Sequence, residues 1–235
     1  MRYLPLATTV LALGFATLAT GATAQERLTA SAGFPGPAIL TDNDYTKFTA
    51  AVEEATGGDI TFDLHVGGAL LPLATTLEGL RDGLADVGNV VSAYIPSSMP
   101  KNNVVADVGL VLEDHMAASF AITEMNLLNE VLQEEWQSFD VVFGGGFSTP
   151  PYLMLCVPEI RTLADVEGKK MRTASGSHVD LVTLMKGEPV SVSFNDAYTG
   201  LERGSLDCIL GSAENLGTGF KLWDVIGSVT MIPLG

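Results

Sequence analysis

Positive charge is scarce in this sequence, which has 12 Lys and Arg residues against 28 Asp and Glu residues and a net charge of −16. Proteins that bind nucleic acid or an anionic membrane surface draw much of their affinity from clustered Lys and Arg side chains. No such basic patch is visible along the chain. The composition therefore argues against nucleic acid as a partner. An anion-binding site in this chain would therefore have to consist of one or two individually positioned groups and not of a broad basic surface.

Motifs for catalysis and for metal binding are also missing. The three histidines, His65, His115 and His178, lie far apart in sequence with no carboxylate at metal-ligand spacing, which disfavours a zinc site. There is no Gly-x-Ser-x-Gly motif, and the triple glycine at 144–146 is not followed by Gly-Lys-Ser/Thr. We therefore predict no enzyme, no resident metal and no cofactor.

Cysteine is nearly absent, with Cys156 and Cys208 as the two examples, both in apolar, strand-like runs. An oxidising compartment permits a disulfide, and adjacent strands would bring the two residues close together. A buried thiol, however, packs well as a small hydrophobic group. The sequence favours two free buried thiols, with a disulfide as the alternative.

Long apolar runs are limited to residues 4–18, too few for a membrane-spanning helix. The run follows Arg2 and precedes Ala22-Thr23-Ala24, which is the arrangement of a secretory signal peptide. We expect cleavage after Ala24 and a periplasmic location. Retention of the segment as a membrane anchor is the alternative.

Residues 162–211 carry the most regular pattern in the chain. Apolar periodicity and glycine stops predict a parallel β-α-β-α-β unit, with strands at 169–173, 190–194 and 206–210 and helices at 179–185 and 197–203. Such units bind ligands at the carboxyl ends of their strands, and Arg172 lies at one of these ends. Its guanidinium matches a carboxylate through two parallel hydrogen bonds. From position alone, a solvated or structurally paired arginine is the alternative.

Two segments of this unit resemble a known family. They are LADVEGKKMR at 163–172 and PVSVSFNDAYTGLERGSLD at 189–207. Both resemble the solute receptors of TRAP transporters, of the dicarboxylate and sialic acid type, which show "DLKGLKIR" and then "PVPMPFSEVYTALQTGVVDG". The resemblance implies that Arg172 pairs with a ligand carboxylate and that Phe194 forms an apolar wall beside it.

The resemblance also implies a fold, the two-lobed α/β fold of periplasmic binding proteins (class II type), with hinge strands between the lobes. The expected domains are a signal peptide at 1–24, a first lobe at 25–147, a second lobe at 148–228 and the start of a return hinge strand at 229–235. The family normally continues beyond this point, so the sequence suggests a chain that lacks the C-terminal part of that fold.

Further ligand-contacting candidates follow from the same comparison. Loops after first-lobe strands contribute Phe34, Ser92 and Tyr94, and the loop after the last strand contributes Ser212 or Asn215. Where sialic acid receptors carry a second arginine, this chain has Tyr152. A monocarboxylate with an apolar body is therefore favoured over a sugar acid.

The remaining first-lobe pattern predicts further elements. They are a strand at 27–32, a helix at 45–56, a strand at 60–66, a helix at 74–83, a strand at 85–91, a strand or loop at 103–112 and a long helix at 115–136 whose buried positions include Phe120, Met125, Leu128 and Leu132.

The resulting hypothesis is a periplasmic organic-acid receptor that delivers its ligand to the membrane permease of a TRAP transporter. A binding protein of an ABC-type importer, a secreted α/β enzyme acting on a carboxylate substrate and a remnant that binds nothing are the alternatives.

Overall fold

The computed structural model describes residues 25–107, 114–217 and 219–231. The predicted signal peptide and the end of the predicted 103–112 segment lie outside the described residues. The strands are β1 Glu26–Ser31, β2 Ile60–His65, β3 Val87–Gly88, β4 Leu153–Cys156, β5 Lys170–Thr173, β6 Glu188–Ser191, β7 Cys208–Gly211 and β8 Ser228–Thr230. The helices are α1 Ile39–Thr41, α2 Lys47–Ala55, α3 Thr76–Arg81, α4 Pro100–Asp107, α5 His115–Leu128, α6 Glu130–Gln137, α7 Gly176–Leu184 and α8 Ala197–Glu202.

A small parallel sheet in the order β2-β1-β3 forms the centre of the N-terminal part. β1 pairs with β2 along its whole length, but β3 is reduced to two residues, although a strand was predicted at 85–91. The side chain of Asp86 accepts from the backbone N–H of Thr29 at 2.7 Å, and that of Asn89 accepts from Gly33 at 3.2 Å. Side-chain acceptors thus bind backbone N–H groups of β1 and of the residues after it, just before and just after β3.

A second sheet, in the order β6-β5-β7-β4-β8, forms the centre of the C-terminal part. β5, β6 and β7 are parallel, whereas β4 runs antiparallel to both β7 and β8. The predicted β-α-β-α-β unit is confirmed. Its turns follow the sequence signals, since Gly168 and Gly204 both adopt a φ of +70°, where a side chain would strain the backbone.

Several boundaries predicted in this unit shift. The strand predicted at 190–194 is found at Glu188–Ser191, because Ser193 already caps a 3₁₀ turn at Phe194–Asp196. The strand predicted at 206–210 begins at Cys208. β8 pairs with β4 at the edge of the sheet and crosses the predicted 228/229 domain boundary. The domain boundaries themselves stay a prediction.

The prediction of free thiols is wrong, because Cys156 and Cys208 form a disulfide. The two residues stand directly opposite each other on the antiparallel strands β4 and β7, with their Cα atoms 4.0 Å apart. The pattern of each strand taken alone shows burial, and both cysteines are indeed fully buried. Their pairing follows from the strand order and the register, which the sequence does not display.

The single long helix predicted at 115–136 is also wrong, because Asn129 divides it into α5 and α6. Its side-chain carbonyl accepts from the backbone N–H of Val131 at 3.0 Å, which caps the start of α6. The apolar side chains predicted to be buried along this helix differ in exposure. Leu132 is 5% exposed as predicted, but Phe120, Met125 and Leu128 are exposed by 71%, 44% and 72%.

A helix, α4, stands where a strand or loop was predicted from residue 103. Pro100 occupies its first position, where the missing N–H costs nothing. The carboxylate of Glu135 on α6 accepts from the N–H groups of Lys101 and Asn102 at 2.9 and 2.8 Å. The cap thus comes from a distant helix, which local sequence cannot show.

Smaller corrections concern the other predicted elements. A π-helical turn at Asp42–Thr46 and the turn α1 precede α2, so the helical run begins before the predicted residue 45. The first part of the helix predicted at 74–83 is a 3₁₀ turn at Leu73–Thr75. The apolar side chains of Val66, at the end of the predicted strand, and of Leu84, just after the predicted helix, are 37% and 59% exposed.

An apolar cluster joins the two sheets. Phe34, Ala38 and Leu73 from the N-terminal part pack in one buried group with Leu155, Phe194 and Phe220 from the C-terminal part. The rings of Phe194 and Phe220 meet edge to face with their centroids 4.7 Å apart. Two members of this cluster, Phe34 and Phe194, also line the candidate site.

Breaking the disulfide should lower the free energy of unfolding. Replacement of both Cys156 and Cys208 by Ala should cost about 2–4 kcal/mol, because the bridge closes a long loop and restricts the unfolded chain. Urea unfolding followed by circular dichroism measures the loss. Reductant should destabilise the wild-type chain and leave the double variant unchanged. Equal stability of the oxidised and reduced wild type would contradict a structural role for the bridge.

Candidate functional site

Arg172, near the end of β5, is fully buried, with 0% of its surface exposed. Its Nε donates to the backbone carbonyl of Val192 at 3.0 Å, and its Nη2 donates to the hydroxyl of Tyr94. Its Nη1 is buried and has no hydrogen-bond partner. The guanidinium is therefore fixed in position by two of its nitrogens while the third keeps its hydrogen-bonding capacity free.

Two aromatic rings enclose this guanidinium. Its central carbon lies 4.9 Å from the ring centroid of Phe194 and 5.6 Å from that of Tyr94. Both distances fall within the range of cation–π attraction. The rings exclude water from the charge, so a hydrogen bond to an anion at this position would be stronger than one in bulk solvent.

Tyr94 connects the two parts of the molecule at this point. It ends the 3₁₀ turn Ser92–Tyr94 beyond β3, and its hydroxyl accepts from Arg172 and from the backbone N–H of Phe194, the latter at 3.3 Å. Burial raises the pKa of Tyr94 against the opposing charge of Arg172. The phenol therefore stays protonated, and with both lone pairs used it retains its own hydrogen as a donor.

Two further polar contacts join the N-terminal and C-terminal parts. The side-chain amide of Asn195 donates to the carbonyl of Gly33 at 2.8 Å. The carboxylate of Asp107, the last residue of α4, accepts from the hydroxyl of Ser177 at 3.1 Å and from its N–H at 3.4 Å. Because Ser177 lies in the first turn of α7, the negative charge also meets the positive end of that helix.

A cavity of about 1020 Å³ lies against this group. Six of the eight residues predicted for ligand contact line it: Phe34, Ser92, Tyr94, Tyr152, Phe194 and Asn215. Arg172 and Ser212 are not among the lining residues. Arg172 lies directly behind the rings of Tyr94 and Phe194, and Ser212 is fully buried.

Ser212 and Asn215 bind each other and stabilise the local structure. The side-chain carbonyl of Asn215 accepts from the backbone N–H and from the hydroxyl of Ser212, both at 2.9 Å, which caps the 3₁₀ turn Ala213–Leu216. Ser92 is engaged in a similar way, since its hydroxyl donates to the carbonyl of Asn102 at 3.3 Å. Contact of these three residues with a ligand stays a prediction.

His178, considered in the sequence as a metal ligand alone, also lines the cavity. Its ring stacks obliquely on that of Tyr152 with centroids 5.3 Å apart, and its Nδ1 is buried without a partner. Burial, and then the charge of Arg172, lower the pKa of His178 to about 4, against the opposing effect of Asp107. Its place in the first turn of the helix after β5 was the signal available in the sequence.

Asp44 is a second cavity residue that the sequence did not single out. It lies in the π-helical turn before α2, and one of its carboxylate oxygens is buried without a hydrogen-bond partner. Burial raises the pKa of Asp44 from 3.8 to about 6. The wall of the cavity near Asp44 therefore disfavours a negatively charged ligand group at that position.

Over the described ranges, no group of three or more His, Cys, Asp or Glu side chains is placed to hold a metal ion. A search of the same ranges finds no helix with the length and apolarity needed to cross a membrane.

Comparison with protein families gives one match that covers most of the chain. Residues 37–231 match the model of the bacterial extracellular solute-binding proteins, family 7. A solute-binding protein of Albidiferax ferrireducens is 25% identical over 211 residues, which are 84% of this chain and 58% of that protein.

Solved structures share the fold. A TRAP solute-binding protein from a marine metagenome, specific for aromatic acid ligands, superposes with a TM-score of 0.78 at 19% identity, over 87% of this chain and 63% of its own. One from Bordetella bronchiseptica, with bound mandelate, gives a TM-score of 0.75 at 22% identity over 89% and 65%. The predicted fold of two-lobed binding proteins is thereby confirmed, and the chain spans less than two thirds of the length of these relatives.

Replacing Tyr94 by Phe should destabilise the protein. The change removes the acceptor of two buried donors, Nη2 of Arg172 and the N–H of Phe194, which should cost about 1–3 kcal/mol. Urea unfolding measures the loss. Tyr152→Phe is the matched control, because it removes a hydroxyl from a neighbouring cavity residue. A loss no larger than that of the control would show that the Tyr94 hydroxyl does not hold the two parts together.

Replacing Asp44 by Asn should stabilise the protein at pH 7 and remove one component of its pH dependence. Since folding raises the pKa of Asp44 to about 6, the folded state binds more protons than the unfolded state between about pH 4 and 6. The contribution of Asp44 to stability is thus present at low pH and is lost as the pH rises through that window. Allowing for its partial exposure, Asp44→Asn should gain about 1 kcal/mol at pH 7.

Thermal unfolding of wild type and Asp44→Asn from pH 4 to pH 7 tests this expectation. The difference between the two should grow as the pH rises. Glu54→Gln, at an exposed position of α2, should follow the wild type at every pH. A difference that is constant with pH would contradict the assigned cause.

Proposed function

The chain belongs to the bacterial extracellular solute-binding proteins, family 7, and from this premise we propose that it is a periplasmic receptor for an organic acid that serves a TRAP transporter. The ligand is a monocarboxylate with an apolar, preferably aromatic, body. The receptor delivers it to the membrane permease, and no catalysis is involved.

The observation that carries the proposal is the free Nη1 of a buried arginine. A buried charged group with an unpartnered donor is costly unless a ligand satisfies it. Arg172 is held rigidly by its other two nitrogens and lies directly behind the cavity wall. A carboxylate that reached Nη1, with the proton of Tyr94 as a second donor, would satisfy both groups.

The Tyr94 hydroxyl supports a role for lobe motion in this binding. In the described arrangement it accepts from Nη2 of Arg172, and the buried guanidinium does not line the cavity. Tyr94 belongs to the loop after β3, whereas Arg172 belongs to β5, so separation of the two parts would withdraw the hydroxyl and expose the guanidinium. Entry of the acid would then be coupled to opening and closing about the hinge.

The walls of the cavity support a ligand with a single charge. Phe34, Phe147, Tyr152 and Phe194 give it apolar faces, and among its described lining residues there is no Lys or Arg to pair with a second carboxylate. Asp44 adds a further penalty for a second anion. Relatives with the same fold bind acids of this kind, namely hydroxyphenylacetate, hydroxybenzoate and mandelate.

Substitution of Arg172 tests the proposal through ligand-induced thermal shifts. At a hundredfold excess over its dissociation constant, a binding acid such as benzoate or mandelate should raise the Tm of the wild type by roughly 5–10 °C. Arg172→Ala should abolish the shift. Arg172→Lys should weaken binding at least tenfold, because an ammonium group does not reproduce the fixed fork of the guanidinium.

Arg203→Ala is the control, since it removes an exposed arginine of the same unit and should leave the shift unchanged. Circular dichroism shows whether each variant is folded, and Arg172→Lys decides the matter if Arg172→Ala does not fold. A full shift in a folded Arg172 variant would show that the carboxylate is held elsewhere.

A further inference from the structure

Two buried polar atoms at the candidate site lack a hydrogen-bond partner. One is Nη1 of Arg172 and the other is Nδ1 of His178, and both are buried. The two side chains come from consecutive elements, β5 and α7, and interact electrostatically. A carboxylate on Arg172 alone would leave the imidazole nitrogen without a partner.

We infer that Nδ1 of His178 is a second anchor for the ligand and selects acids that carry a hydroxyl group near the carboxylate over the same acids without it. The inference rests on the proposed function, because it concerns the same site and presumes that Arg172 holds the carboxylate.

The position of His178 supports this role. Its ring is fixed against that of Tyr152, with centroids 5.3 Å apart, and it borders the same cavity as Tyr94 and Phe194. Its neighbour Ser177 is bound to the carboxylate of Asp107, which holds the first turn of α7 in place. The imidazole is therefore held in one orientation, as an anchoring group must be.

The charge state of His178 decides which ligand group it suits. The groups around it are Arg172 on β5, Asp107 on α4 and Tyr152 before β4, and with a pKa of about 4 the imidazole is neutral at pH 7. A neutral imidazole nitrogen exchanges a hydrogen bond with a hydroxyl group and offers no charge to a second carboxylate. This chemistry fits a hydroxy monocarboxylic acid.

Matched pairs of acids that differ by one hydroxyl group test the inference. Mandelate is compared with phenylacetate, and 3-hydroxybenzoate with benzoate, by calorimetric titration of the chain at pH 7. At least one hydroxylated acid should bind the wild type about tenfold more tightly than its partner, since the site contains a polar atom that the partner leaves unpaired. Equal affinities within both pairs would overturn the inference.

His178→Phe removes both ring nitrogens and keeps the stacking on Tyr152. It should erase the preference within the pair by lowering the affinity for the hydroxylated acid about tenfold, while the affinity for the other acid stays within about twofold. His178→Gln, which keeps a hydrogen-bonding group, should retain part of the preference. His65→Phe, a substitution outside the cavity, should behave as wild type.

The possible failures are distinguishable. If both acids of a pair bind, Arg172→Ala abolishes their binding and His178→Phe weakens both equally or neither, the inference is wrong and the proposed function stands. If none of the four acids binds the folded chain, or if Arg172→Ala binds them as the wild type does, the inference falls together with the proposed function.

Discussion

The hydrogen bond between the guanidinium of Arg172 and the hydroxyl of Tyr94 is the contact on which the candidate site depends. It joins a residue of the second sheet to a loop that follows the first sheet, and the guanidinium lies against the rings of Tyr94 and Phe194, which keep water away. Both partners are costly to bury alone, the arginine because of its charge and the tyrosine because of its polar oxygen. Each side chain therefore holds the other in place, and the same hydrogen bond fixes the position of the unpartnered Nη1 of Arg172.

Packing around this contact explains why the site lies between the two parts and not within either one. Phe34 and Leu73 of the N-terminal part share a buried cluster with Phe194 and Phe220 of the C-terminal part. Asn195 and Asp107 add polar contacts on either side of that cluster. Apolar burial supplies most of the adhesion, whereas the directional hydrogen bonds fix the relative orientation.

The sequence was most informative where structure is local. The β-α-β-α-β unit, its glycine turns and the position of Arg172 at the end of β5 were all predicted, because periodicity and turn chemistry act over a few residues. The errors arose where distant residues decide the outcome. Glu135 caps α4 from another helix, Cys156 meets Cys208 through the strand order, and the pKa of His178 depends on burial and on the charges of Arg172 and Asp107. Asn129 is the exception, since asparagine is a favoured N-cap residue and this signal is local to the sequence.

The bridge between Cys156 and Cys208 ties the antiparallel strand β4 to the parallel unit that carries Arg172. Thiols remain reduced in a bacterial cytoplasm and are oxidised outside it. With the proposed periplasmic location, a newly made chain would lack this cross-link until after export and would be easier to keep unfolded during translocation. In the proposed receptor, the half that carries Arg172 would therefore gain this cross-link, and the rigidity that comes with it, only after the change of compartment.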